Sequence, residues 1–142
     1  MSELIGKTEI PAYDRSRPTP SIELAFQHKL TNCPGKSIIG MHVTFPPNAS
    51  TPPHRHGGAA VVGHVLEGNL LNKMNDEPVK HIAKGGSWYE APGCHHRLSD
   101  NLSATEGARL LATMVVDTSV VEEGGLGALV VVDEEYRDVV FG

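Results

Sequence analysis

Apolar and polar residues alternate strictly in two segments near the start of the chain. In residues 21–30, Ile22, Leu24 and Phe26 occupy one set of alternate positions and Glu23, Gln27 and Lys29 the other, and residues 37–45 repeat the alternation. Because successive side chains of a β-strand point to opposite faces, the alternation predicts two half-buried strands. In the first of these, Ile22, Leu24 and Phe26 are expected to share one face.

Further apolar segments predict the remaining strands. They cover residues 61–66, 69–74, 79–83, 108–117 and 129–133. Residues 69–74 and 79–83 are expected to form a hairpin, and a short aromatic strand follows Gly86. No segment shows helical periodicity. Short strands separated by glycine and proline turns predict an all-β sandwich or barrel.

Composition supports one β-rich domain. The chain has 142 residues, of which 15 are glycine and 10 are proline, a length typical of a single domain. Residues 1–20 contain three prolines among charged residues and are expected to form an N-terminal arm without regular structure. Residues 21–142 are then the single domain.

Charge and cysteine content exclude several functions. The formal net charge of −5 provides no electrostatic footprint for nucleic acid or an anionic membrane. Two cysteines do not make a disulfide framework. The N-terminus shows neither a signal peptide nor a transmembrane segment. The expectation is a soluble cytoplasmic protein that binds neither nucleic acid nor membrane.

Candidate chemistry centres on histidine. In residues 52–68, two prolines keep the backbone extended before His54 and His56. These two side chains therefore share one face and can converge on a metal ion. A second histidine site, His95 and His96, follows a glycine turn, an aromatic strand and a Pro-Gly turn. Six of the eight histidines lie between residues 54 and 96.

The two sites resemble the paired motifs of the cupin family. The first motif places His-x-His before a glutamate and a closing glycine; His54, His56 and Gly68 match it. Val61 stands where the glutamate belongs, and Asn48 stands where the motif opens with glycine. The resemblance therefore implies a three-histidine variant that lacks the glutamate of the first motif.

The second motif covers residues 85–100. Gly85, Gly93 and His96 match the cupin pattern, Pro92 is displaced by one position, and Asp100 replaces the closing asparagine. His95 is a possible substitute for His96 or an additional ligand.

The resemblance implies a double-stranded β-helix, the jelly-roll cupin barrel, with one metal ion per chain bound inside by His54, His56 and His96. Three imidazoles suit iron, zinc, nickel or copper(II) better than magnesium or calcium. Without the glutamate, the ion keeps its full charge, so an anionic or bidentate substrate would be favoured. Alternatively, the chain keeps the scaffold without the metal, and the histidines form hydrogen bonds in a pocket.

Other side chains are candidates for catalysis. Tyr89, His42 and His95 are candidate acid–base groups. Trp88 and Glu90 share one strand face and Tyr89 takes the other, so one of these sets is expected to point inward. Surface positions are expected for a further group: His28, His81, Glu67 and Asp100.

Two functions follow as alternatives. An enzyme would use the open coordination positions to bind a small organic substrate, with dioxygenase-type chemistry if the metal is iron, or polarisation of a carbonyl or water if it is zinc. A non-catalytic cupin would instead bind or sense a small ligand, with or without metal. The ends of resembling small cupins commonly pair with a partner subunit, so a homodimer is expected.

Overall fold

The computed structural model describes residues 2–142, which form eleven β-strands. In chain order these are β1 (Ser21–Lys29), β2 (Lys36–Phe45), β3 (Ser50–Thr51), β4 (His54–Arg55), β5 (Ala60–Glu67), β6 (Asn69–Met74), β7 (Lys80–Ala83), β8 (Ser87–Glu90), β9 (His96–Asn101), β10 (Ala108–Asp117) and β11 (Val131–Val132). The predicted hairpin is confirmed as β6 and β7.

The strands form two antiparallel sheets. The five-stranded sheet has the order β1-β2-β10-β5-β8, and the six-stranded sheet has the order β11-β4-β9-β6-β7, with β3 also beside β9. The predicted all-β jelly-roll architecture is confirmed. Apolar side chains fill the space between the sheets, among them Ile39, Met41, Phe45, Val61, Val65, Leu70, Leu110, Met114 and Val116.

A bulge in β1 changes the face of one predicted residue. Leu24 pairs with Met41, but the register then shifts, and Phe26 pairs with Gly40. Phe26 therefore lies on the face opposite Leu24, and the prediction that both share a face is wrong. Gly40 accommodates the ring, because a Cβ atom at this position would lie 2.2 Å from it.

Short helical segments flank the predicted C-terminal strand and overlap it only at Leu129. Helix α1 covers Thr118–Gly124, and single 3-10 turns cover Leu126–Leu129 and Glu134–Tyr136. The strand predicted for residues 129–133 is reduced to β11. Two helical turns are too short for a 3.6-residue period to be visible in the sequence. Among residues 2–142, no helix is long and apolar enough to span a membrane.

Residues 2–20 contain no helix or strand, but they are attached to the sheets. The Nη1 atom of Arg17 donates a hydrogen bond to Asp100 Oδ2 at 2.9 Å. Asp100 is 2% exposed, so the expectation that it is solvated is wrong. Ser50 Oγ donates a second hydrogen bond to the same carboxylate at 2.6 Å. Burial raises the pKa of Asp100, against the lowering effects of Ser50 and Arg17.

Candidate metal site

Three buried histidines meet between the sheets. His54 lies in β4 directly opposite His96 in β9, and His56 follows β4 on the same face. Their ring centroids are 4.7 Å apart for His54 and His56 and 4.9 Å apart for His54 and His96. One nitrogen from each ring lies within 4.8 Å of the other two. The spacing is suitable for binding one metal ion.

Carbonyl oxygens hold each imidazole in one orientation. The pairs are His54 Nδ1 with Pro52 O at 2.8 Å, His56 Nδ1 with Leu129 O at 2.8 Å, and His96 Nε2 with Asn72 Oδ1. A carbonyl oxygen only accepts hydrogen bonds, so the paired ring nitrogen carries the proton. The other nitrogen of each ring then presents a lone pair, as metal ligation requires.

A carboxylate completes the cluster. Glu90 Oε1 lies 3.1 Å from His56 Nε2 and 3.4 Å from His96 Nδ1. All three atoms are buried and lack a hydrogen-bond partner within residues 2–142. Glu90 in β8 lies directly opposite Val61 in β5, and such pairs point to the same face of a sheet. Although residue 61 is a valine, the neighbouring strand therefore places a carboxylate beside the predicted three-histidine cluster.

Trp88 orients this carboxylate. Its Nε1 atom donates a hydrogen bond to Glu90 Oε2 at 2.9 Å, which leaves Oε1 facing the histidines. The indole packs over Gly63, where a Cβ atom would lie 2.4 Å from the ring. Because Gly63 in β5 has no side chain, the Trp88 indole can occupy the position from which it bonds to Glu90.

Burial controls the ionisation of the cluster. Burial, then the neighbouring imidazoles, holds the pKa of His54 well below its usual value. Burial also lowers the pKa of His96 to about 4, although Glu90 acts in the opposite direction. Burial alone would raise the pKa of Glu90, but His96, His56 and the Trp88 N–H lower it to about 2. At neutral pH the site therefore combines neutral imidazoles at His54 and His96 with an ionised carboxylate, and these ligands do not have to lose a proton to bind metal.

The cluster faces a small apolar cavity of about 50 Å³. Its apolar walls include Ile22, Met41, Val43, Phe45, Val61, Leu110, Ala112, Met114, Val130 and Phe141. A water molecule needs roughly 10–15 Å³ of such space. The cavity therefore has room for only a few small groups beside an ion.

The structure places none of the three candidate acid–base residues at this cavity. Tyr89 is 62% exposed and lies opposite Val62 on the outer face of the five-stranded sheet. His42 is on the same outer face, beside Arg109. His95 points away from His96 and lies 3.0 Å from the Asp133 carboxylate, so it neither replaces nor supplements His96. In each case side-chain alternation directs the residue away from the barrel interior.

Three surface predictions are confirmed, since His28, Glu67 and His81 are all exposed. Glu90 is absent from the site residues predicted from sequence, although a signal for its position was present. Glu90 shares a strand face with Trp88, and a pairing of β8 with residues 61–64 would have placed it opposite Val61. No feature of the sequence indicated that Asn72 and Leu129 would accept hydrogen bonds from His96 and His56.

Comparison with known proteins supports the fold. The family model described as "Cupin domain" matches residues 41–114. None of the curated proteins compared with the chain matches it. Because the family match covers more than half of the chain, it shows family membership.

Solved structures share the architecture at low identity. The TT1209 protein from Thermus thermophilus is 22% identical with a TM-score of 0.56, and the match covers 68% of this chain and 82% of that one. The Cnp3 cupin domain of Schizosaccharomyces pombe is 19% identical with a TM-score of 0.55, covering 82% and 76%. An oxalate oxidase in complex with the substrate analogue glycolate is 20% identical with a TM-score of 0.55, covering 87% and 66%. At these identities the likeness shows the fold alone.

Proposed function

The chain belongs to the cupin domain family, and on that premise we propose that it is a metal-dependent cupin acting on a small organic anion. His54, His56, His96 and Glu90 would hold one divalent transition metal. The observation that carries the proposal is the convergence of three buried, unpartnered atoms: His56 Nε2, His96 Nδ1 and Glu90 Oε1. Burying such atoms without a partner costs free energy, and a cation at their meeting point would satisfy all three.

The ligand set favours a transition metal. Three imidazole nitrogens and one carboxylate oxygen suit iron, zinc or nickel, whereas magnesium and calcium prefer oxygen ligands throughout. One carboxylate leaves a divalent ion with one uncompensated positive charge. An anionic head group, such as a carboxylate or an enolate, would neutralise that charge in an apolar cavity.

We favour an oxygenase-type reaction. Iron bound at the site would supply oxidative chemistry with dioxygen, whereas zinc would supply Lewis-acid polarisation of a carbonyl. The protein's own contribution is orientation and exclusion of water: Trp88 directs Glu90, carbonyl oxygens direct the histidines, and apolar walls surround them.

One observation favours the alternative of a non-catalytic binding or sensing cupin. The only titratable side chains lining the cavity, among the residues that the structure describes, are the four candidate ligands. With Tyr89, His42 and His95 outside it, no separate acid–base group is available for proton transfer. Binding without turnover would need no such group.

Elemental analysis of protein expressed without a metal-binding affinity tag tests the proposal. About one iron per chain, together with oxygen consumption in screens of catechols, diketones and small thiols, would support an oxygenase. About one zinc or nickel per chain would direct the search to hydrolytic or isomerase reactions. No bound metal, even after reconstitution with iron, zinc or nickel, would leave the ligand-binding alternative.

We also propose that the protein is a homodimer. Val62 and Tyr89, which are 44% and 62% exposed, lie opposite each other on the outer face of the five-stranded sheet. Covering exposed apolar surface of this kind supports self-association. The molar mass in solution, measured by light scattering, tests this, and a monomer at micromolar concentration would contradict it.

A further inference from the structure

An apolar groove lies outside the metal cavity. It has a volume of about 360 Å³, within the range of roughly 300–1,000 Å³ typical of small-molecule sites. Its lining contains no polar or charged side chain and consists of Ile22, Leu24, Met41, Leu126, Gly127, Val130, Val132, Val139 and Phe141. Such a lining can bind an apolar group but offers a polar one no side-chain hydrogen-bond partner.

The groove and the metal cavity share one wall. Ile22, Met41, Val130 and Phe141 line both spaces, so these side chains separate them. Ile22 and Met41 belong to the five-stranded sheet. Phe141 instead lies in a segment without helix or strand, which is tied to residues 19–20 by the hydrogen bonds from Thr19 Oγ1 to Val140 O and from Gly142 N to Pro20 O.

We propose that the groove binds the apolar tail of the substrate whose anionic head binds at the metal. The inference rests on the proposed function and extends it to a substrate class, namely carboxylates with an alkyl or aryl tail. The metal cavity, at about 50 Å³, accommodates only the head, so a larger substrate must place its remainder elsewhere. The groove is adjacent, apolar and separated from the cavity by four side chains.

Of the four wall residues, Phe141 and Val130 lie outside the strands, and Phe141 has the larger side chain. Its displacement breaks no strand pairing, because residues 137–142 lie outside both sheets. A tail that passes from the cavity into the groove would displace the Phe141 ring and then pack against Leu24 and Val139. We therefore assign to Phe141 the role of limiting the length of the substrate tail that can bind.

Calorimetric titration of the zinc-reconstituted protein with acetate, butanoate, hexanoate and octanoate tests the inference. Affinity should rise roughly threefold to fourfold for each methylene that the groove buries. The variant Leu24→Lys should remove this dependence on length while leaving acetate affinity and zinc content unchanged. Val131→Lys is the matched control, because Leu24 is 45% exposed and Val131 42% and Val131 does not line the groove, so it should keep the wild-type dependence.

Three results would overturn the groove assignment: equal affinity for all four carboxylates, an unchanged length dependence in Leu24→Lys, or an equal loss in Val131→Lys. Phe141→Ala should strengthen octanoate binding relative to acetate, and a uniform loss for both would contradict its role in the wall. Zinc content measured on the same samples separates failure of the groove from failure of the metal site. If no zinc binds, titration of the metal-free protein with 1-butanol and 1-octanol tests the groove without the metal site. Tighter binding of 1-octanol that is lost in Leu24→Lys would support the groove assignment. Equal binding of the two alcohols would contradict it.

Discussion

Glu90 Oε1 and His56 Nε2 lie 3.1 Å apart although they come from opposite sheets of the barrel. Glu90 ends β8 of the five-stranded sheet, whereas His56 follows β4 of the six-stranded sheet. Neither atom has a hydrogen-bond partner among the described residues. The carboxylate therefore joins the three histidines only when the two sheets pack face to face, so a metal ion held by all four residues should stabilise the folded barrel.

Replacing any one cluster histidine should remove most of the bound metal. We expect His54→Ala, His56→Ala and His96→Ala each to lower metal content strongly, because each removes one of three converging nitrogens. His28→Ala and His81→Ala are the controls and should retain metal, since both side chains are exposed. Elemental analysis of the five purified variants measures this. Equal metal content in all five would contradict the ligand assignment.

Replacing Glu90 with glutamine should weaken metal binding without disturbing the fold. The amide has the same shape and can keep its contact with Trp88, but it lacks the negative charge. We expect affinity to fall by at least the tenfold to hundredfold that loss of an outer-shell partner typically costs. Competition with a chromogenic chelator measures the change. Glu67→Gln, at the exposed end of β5, is the control. Unchanged affinity in Glu90→Gln would mean that the carboxylate is not a ligand.

Gly63→Ala should disturb the site from outside the ligand set. The added Cβ atom would lie 2.4 Å from the Trp88 ring, so the indole must shift, and its hydrogen bond to Glu90 should weaken. We expect a loss of stability of about 1–3 kcal/mol, a change in tryptophan fluorescence and weaker metal binding. Gly127→Ala is the control, because no atom lies within 4 Å of its Cβ position. Wild-type fluorescence and affinity in Gly63→Ala would refute this role of Trp88.

Removing Arg17 should destabilise the protein through Asp100. The carboxylate is 2% exposed and would lose its ion-pair partner at 2.9 Å, keeping only the hydrogen bond from Ser50. Breaking a buried pair on one side typically costs about 3–5 kcal/mol, and partial exposure of Arg17 favours the lower end. Urea unfolding of Arg17→Ala measures this loss. The double variant Arg17→Ala/Asp100→Asn should recover part of it, and an equally unstable double variant would exclude an uncompensated charge as the cause.

Acidification should destabilise the metal-free protein. The folded-state pKa values of His54 and His96 lie below the usual value of 6.5, at about 4 for His96. At a pH between the folded-state pKa and 6.5, the unfolded chain binds more protons than the folded one. The stability contributed by the neutral imidazoles is therefore complete above pH 6.5 and decreases as the pH falls below it. Each group contributes a slope of at most about 1.4 kcal/mol per pH unit.

Urea unfolding at pH 7.0, 6.0 and 5.0 measures this dependence. The variant His96→Gln should show a shallower decrease, because one depressed pKa is removed. His28→Gln is the control and should match the wild type. Below about pH 4.5 the lowered pKa of Glu90, at about 2, should continue the decrease. Constant stability from pH 7.0 to 5.0 would show that the two histidines do not titrate as described.

Features governed by neighbours along the chain were predictable from sequence. Alternation located β1 and β2, because one face of a strand meets the core and the other does not, and an apolar segment located β10. The spacing of His54 and His56 on an extended backbone placed both on one face, and the cupin motifs added His96. The all-β jelly roll and the three-histidine cluster therefore needed no tertiary information.

Only the tertiary structure determined the features that depend on strand pairing and sheet packing. The pairing of β5 with β8 places Glu90 opposite Val61, the bulge in β1 reverses Phe26, and the docking of residues 2–20 buries Asp100 beneath Arg17. The wall that Phe141 shares between groove and cavity likewise joins distant parts of the chain. Periodicity reports which face of its own element a residue occupies, but it does not report which other element covers that face. The position of the Glu90 carboxylate beside the histidines and the groove proposed for the substrate tail both depend on which element covers which face.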